Sequence, residues 1–155
     1  MSTRETVNAL LSDLASQLNL SFLKLNENGI CAFENPEGVK FLIEAPEHGA
    51  LVFIASPMQF MPKLNDQRRE LQQHLLEGNF YFHNNLGAVF SLDTREDRIY
   101  LQYSFPVAFL DKDLFGNILN NFITYATHSY KELQDNFFAE TAAPEHKPPM
   151  FYQRF

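Results

Sequence analysis

Five histidines, one cysteine and a few close acidic pairs are the residues of this 155-residue chain with the means for reaction chemistry. His48 lies in a Pro46-Glu47-His48-Gly49 turn, His74 and His128 on helical stretches, His83 behind an aromatic cluster, and His146 near the C-terminus. None stands at a metal-binding spacing such as His-Glu-x-x-His, so all five read as surface or structural imidazoles. Cys31 has no partner for a disulfide and sits in a strand-like context, which suits a small buried hydrophobe in a reducing compartment. Asp93 with Asp97, and Asp111 with Asp113, fall at a turn and a helix start, where carboxylates serve local hydrogen bonding. The six glycines are scattered and none precedes a Lys-Ser/Thr pair, so no phosphate-cradling loop is present. The expectation is a protein that is not an enzyme and uses no cofactor or metal.

What the chain does carry is 16 Phe and 6 Tyr on a frame of ordinary globular composition, 45% apolar and 20% charged. That length and composition fit one domain with a core of its own. A net charge of −7 argues against nucleic acid and anionic lipid as partners. Arg68-Arg69, flanked by Asp66 and Glu70, reads as a solvated helix face. The longest apolar run, Ala50 to Ala55, is far too short to span a bilayer. Asn8, Ser12 and Asp13 interrupt the N-terminal leucines, so no signal core is expected and the cytosol is the expected location.

The elements follow from periodicity and turn chemistry. Ser2 and Glu5 form a capping-box pair that starts a helix near Thr3, and Val7, Leu10, Leu11, Leu14 and Leu18 give it one apolar stripe ending near Asn19. Strands are expected at Phe22–Leu25, Ile30–Phe33, Val39–Glu44 and Ala50–Ala55, separated by Asn/Gly and Pro/Gly turns. The last of these, apolar on both faces, reads as an inner strand covered on two sides. Pro57 to Pro62 reads as a loop whose Met58, Phe60 and Met61 are candidates for meeting a partner. A second helix is capped by Asn65 or Asp66 and ends at Gly78. Two strands follow, through Leu86–Leu92 and Ile99–Phe105, then a long helix opened by Asp111 and running to Phe137. Antiparallel pairing through short turns makes this an α+β fold: a twisted antiparallel sheet with three helices in α-β-β-β-β-α-β-β-α order. Residues 1–139 make up the domain. Residues 140–155, with Pro144, Pro148 and Pro149, read as a mobile tail in which Met150, Phe151 and Tyr152 offer a docking segment.

With those segments in that order, the chain resembles the class I type III secretion chaperones, the Tir-chaperone family of bacterial pathogens. The resemblance rests on Leu10-Leu11-Ser12-Asp13-Leu14, Asn28-Gly29-Ile30-Cys31-Ala32-Phe33 and Leu51-Val52-Phe53-Ile54-Ala55. It continues through Leu75-Leu76-Glu77-Gly78-Asn79, Leu86-Gly87-Ala88-Val89-Phe90-Ser91-Leu92-Asp93 and Ile99-Tyr100-Leu101. It implies a cytoplasmic bacterial homodimer that binds the extended N-terminal segment of a secreted effector and hydrolyses no nucleotide. Strand addition and apolar grooves would supply the binding. Candidate effector-contacting residues are Leu10, Leu14, Phe22, Leu23, Leu25, Phe33 and Phe41, a few of which are expected to stand exposed. The resemblance places the dimer at the second helix and the strand after it, with Leu71, Leu75, Leu76, Phe80, Phe82, Ala88 and Phe90 as candidates. Two other readings share the composition: a regulatory adaptor of a secretion system, and a carrier enclosing a small apolar ligand between sheet and helix.

Overall fold

The computed structural model describes residues 2–17, 23–80, 86–139 and 153–154. Helix α1 spans Thr3–Gln17 and three strands follow it: β1 Ile30–Glu34, β2 Lys40–Glu44 and β3 Leu51–Phe60. Then come α2 Asn65–Gly78, β4 Val89–Asp93, β5 Arg98–Pro106, a short 3-10 turn at Val107–Phe109, α3 Lys112–Phe137 and a two-residue strand β6, Gln153–Arg154. The sheet order is β4-β5-β3-β2-β1-β6, antiparallel throughout except for the parallel β1–β6 pair.

The helix starts form as their local chemistry dictates. Ser2 N–H donates to Glu5 Oε2 at 2.7 Å while Glu5 N–H donates to Ser2 Oγ at 3.2 Å, closing the capping box. Asp111 caps α3 by accepting from Leu114 N–H at 2.8 Å. Helix α2 departs from expectation at both ends. Its N-cap position is Leu64, which has no side chain to cap with, and Gly78 is its last helical residue, followed by Asn79 in a right-handed conformation.

Two segments correct the strand assignment. Leu23–Leu25 form no strand; Leu25 N–H is taken by the Asn8 side chain of α1 at 2.9 Å, so this stretch packs on a helix rather than entering a ladder. Phe22 lies outside the described residues. Conversely, β3 runs straight through the expected loop to Phe60, with a register shift against β5 between Pro57 and Phe60. Pro57 is tolerated because β3 pairs with β2 only as far as Ala55; beyond it, the Ser56 hydroxyl reaches Lys40 O at 2.7 Å instead. Met58 and Met61 are buried, so they pack the core and do not meet a partner.

The core lies between the inner face of the sheet and α1 with α3. Phe41 stacks on Phe33 at 5.2 Å and meets Phe122 of α3 edge-on at 6.4 Å, and Phe105 meets Phe115 in the same way. Val7, Leu10, Leu11 and Leu14 bring α1 into the same cluster. At the β1 turn the chain needs glycine. Gly29 holds φ +79° and a Cβ there would lie 2.5 Å from Ala45 O.

Candidate interaction surfaces

His83 and His146 lie outside the described residues; the other reactive groups have the following surroundings. Cys31 is buried, and burial pushes its thiol up to about 11, far from nucleophilic use. The Nε2 atoms of His74 and His128 each approach a Glu132 carboxylate oxygen at 3.9 Å, along a half-open cleft of about 640 Å³ between α2 and α3. Among the described residues, no group of three or more His, Cys, Asp or Glu is arranged to hold a metal ion. Phe33, Phe41, Phe105, Phe115 and Phe122 pack the centre of the interface between sheet and helices, and an open pocket of about 510 Å³ lies at its margin, lined by Met58, Phe60, Tyr130 and Phe138. No described helix is long and apolar enough to cross a membrane.

The outer face of the sheet is different. Strand alternation sends Leu51, Phe53 and Ala55 of β3 outward, in register with Glu44 and Leu42 of β2 and, beyond Leu42, Ala32 of β1. Leu51 is 40% and Phe53 39% exposed, and Leu42 and Ala55 are half-buried. The expectation that β3 is covered on both faces is therefore corrected: β3 is central in the sheet, yet one face meets solvent.

That face ends at the β1 edge. Ala45 N–H donates to Gly29 O at 2.9 Å and Asn35 N–H to Val39 O at 2.9 Å, which fixes the phase of the β1–β2 ladder. Odd-numbered residues of β1 thus bond toward β2, and Ile30, Ala32 and Glu34 turn their peptide groups to the edge. Asn26 occupies the first of these: its N–H donates to Ile30 O at 2.8 Å and its Oδ1 accepts from Ile30 N–H at 3.0 Å. Arg4 of α1 steadies the same turn by donating to the carbonyls of Glu27, Asn28 and Ala45. At the far end, β6 lies in parallel register with Phe33 and Glu34.

The opposite edge, β4, is held by the exit of α2. Asn79 Nδ2 donates to Phe90 O at 3.0 Å and Asn79 Oδ1 accepts from Phe90 N–H at 2.8 Å, so one side chain imitates a paired strand. Arg68 of α2 forms a two-pronged ion pair with Asp97 at 2.5 and 2.7 Å, fastening the helix to the β4–β5 turn. Around this clamp Leu76 is 70% and Phe80 69% exposed, while Leu75 and Phe90 are half-buried.

The candidate residues sort as follows. Leu10, Leu14, Leu23, Leu25, Phe33 and Phe41 are all buried, so the expectation that a few of them stand exposed fails. All six belong to the one core cluster, where the apolar stripe of α1 meets the inner face of the sheet and α3. Leu71 and Ala88 are likewise core, and Phe82 lies outside the described residues. Leu75, Leu76, Phe80 and Phe90 share the α2–β4 surface. Sequence reasoning missed Leu51 and Phe53 as open surface, and it missed the Asn79 clamp. A helix-exit Asn ahead of a strand was the only available cue for the latter.

The sequence profile of the Tir chaperone protein (CesT) family matches residues 9–129. No curated protein sequence matches the chain. Among solved structures it is similar to a chain of the ExsC–ExsE complex, with TM-score 0.71 and 18% identity over 91% of this chain and 100% of that one. It is similar to a chain of the HopA1–SchA chaperone–effector complex, with TM-score 0.68 and 15% identity over 83% of this chain and 95% of that one. The heterodimeric ExoU–SpcU complex from the type III secretion system of Pseudomonas aeruginosa gives TM-score 0.62 and 15% identity, over 83% of this chain and 98% of that one. At such identities the likeness is one of fold.

Proposed function

This chain belongs to the Tir chaperone protein (CesT) family, and from that premise we propose that it is a type III secretion chaperone. It binds a cognate effector through the effector's extended N-terminal segment, keeps it soluble and competent for secretion, and does no chemistry on it. The observation that carries this reading is the outer face of the sheet, where exposed Leu51 and Phe53 adjoin half-buried Leu42 beside a strand edge. An extended chain pairs its backbone with β1 and turns alternate side chains to the same side of the sheet, beside Ala32 and toward Leu42, and its flanking residues can cross the apolar face at Leu51 and Phe53. Backbone pairing gives affinity that tolerates sequence, and the apolar strip selects which side chains fit. The buried candidates around Phe33 and Phe41 form the rigid floor beneath this surface. The chaperone–effector neighbours are consistent with such a partner.

The working unit in this reading is a homodimer in the bacterial cytoplasm, joined through Leu75, Leu76, Phe80 and Phe90. Exposed large apolar side chains around a fixed helix exit are the kind of patch that a second copy covers.

Affinity capture from the native host tests the reading. Wild-type protein is expected to retain a secreted effector, and Phe53→Glu to lose it with an unchanged circular dichroism spectrum. Equal capture by both would remove the outer face from binding. In the ultracentrifuge, Leu76→Arg with Phe80→Arg is expected to halve the mass, and an unchanged mass would remove α2 from the interface.

A further inference from the structure

We propose that β6 is a built-in occupant of the partner-binding edge, a piece of the chain's own C-terminal region that holds the place of an effector strand until one displaces it. This rests on the reading above, that a partner's segment pairs with β1. Three peptide units face outward along β1, those of Ile30, Ala32 and Glu34. The first is taken by Asn26, and β6 pairs with Phe33 and Glu34. Parallel pairing at Phe33↔Gln153 sets the peptide groups of Gln153 between the outward groups of Ala32 and Glu34. Glu34 has a single N–H to give, so β6 and an incoming strand exclude one another there.

The lengths favour exchange over permanent closure. β6 pairs two residues of a five-residue strand and meets only the Ala32 carbonyl and the Glu34 end, whereas a longer segment also takes the Ala32 N–H and lies nearer the half-buried Leu42. Covalent attachment compensates for a short ladder by keeping β6 at an effective concentration on the order of millimolar. A free sheet edge invites pairing with any strand at hand. The device therefore guards the edge in the empty protein and sets a threshold for partners, which must out-pair a weak but ever-present competitor.

Amide hydrogen exchange on the full-length protein, followed by NMR without any partner, tests this. Gln153→Pro removes the first β6 N–H, which meets the Ala32 carbonyl, and so lifts β6 from the edge. The Glu34 amide is expected to exchange at least tenfold faster in that variant, while the Ile30 amide, bonded to Asn26, and the β3 amides keep their wild-type rates. Gln153→Ala, which spares the backbone, is expected to behave as wild type. A labelled peptide of residues 148–155 is then expected to bind the Gln153→Pro variant at least tenfold more tightly than wild type. Unchanged Glu34 exchange in Gln153→Pro overturns the proposal, as does equal peptide affinity for both proteins. Glu34 protection that fades on dilution also overturns it, by assigning the strand to a second copy. Exchange is read with no effector present, so failure here leaves strand addition by a partner standing, and failure of the Phe53→Glu capture test leaves β6 occupancy standing.

Discussion

The two edges of the sheet are closed by the same residue type in different ways. At β4, Asn79 gives a donor and an acceptor to one peptide unit, from the end of a helix that an Arg68–Asp97 ion pair also fastens. At β1, Asn26 closes only the first outward position, through an Asx-type turn, and the other end is met by a two-residue strand from distant sequence. One edge is thus clamped at Phe90 from a fastened helix and flanked by exposed Leu76 and Phe80, which suits a lasting mate. The other is sealed by something removable and opens onto Leu42 and Phe53, which suits a passing one. An apolar patch alone does not say whether its partner stays; the manner in which the neighbouring edge is satisfied does.

The comparison requires that both edges hang on one shared core, and Phe41 tests this with the largest expected effect. It is fully buried, stacked on Phe33 and edge-on to Phe122. Phe41→Ala is expected to cost about 3–5 kcal/mol in urea denaturation, from lost transfer energy plus a cavity. Phe53→Ser, on the open face, is expected to change stability by less than about 1 kcal/mol while losing partner capture. Similar costs for the two would erase the distinction between floor and surface.

Next in size is the β4 clamp. Asn79→Ala leaves the Phe90 N–H and C=O without their partners in a half-buried site, an expected loss of about 1–3 kcal/mol. Asn79→Asp keeps the acceptor for Phe90 N–H but sets an oxygen against Phe90 O, so it is expected to rescue little. Full rescue by Asp would mean that a single hydrogen bond, not the two-way clamp, holds the edge.

How much of this was legible follows from the range of the interactions. The caps at Ser2–Glu5 and Asp111 were readable because donor and acceptor lie within one helical turn. The alternation of Ile99, Leu101, Tyr103 and Phe105 was readable because a strand's period is local. Leu23–Leu25 misled because apolar content marks burial without saying whether a ladder or a helix provides it. Met58 and Met61 misled because flanking prolines signal a loop, while the ladder to β5 is formed by residues some forty positions away. The open face at Leu51 and Phe53 was illegible for a similar reason: an all-apolar strand looks doubly covered, and only tertiary packing shows that one side is not.

At the β1 edge the corresponding change is smaller. Asn26→Ala removes the acceptor shared by Asn28 N–H and Ile30 N–H, both exposed and able to turn to water, for an expected loss near 1 kcal/mol. Its sharper readout is exchange: the Ile30 amide is expected to quicken while Glu34, under β6, stays slow. Simultaneous release of both would make the edge one cooperative unit and dissolve the idea of two separate seals.

The smallest expected effect concerns how α2 is fastened. Hydrogen bonding from the Arg68 guanidinium, with its charge, holds the Asp97 carboxyl below the usual carboxylate range. A carboxyl whose pKa is lower folded than unfolded contributes stability that is present above the unfolded value, about 3.9. That contribution fades as pH falls through the lower, folded value. The thermal midpoint difference between wild type and Asp97→Asn is therefore expected to be constant from neutrality to about pH 5 and to shrink below about pH 4. Both side chains reach solvent, so the plateau is expected to be small and to weaken further in high salt. A difference that survives at the acid end would show that Asp97 acts through its uncharged geometry at the β4–β5 turn, where it holds φ 55°, and the ion pair would drop out of the account of the clamped edge.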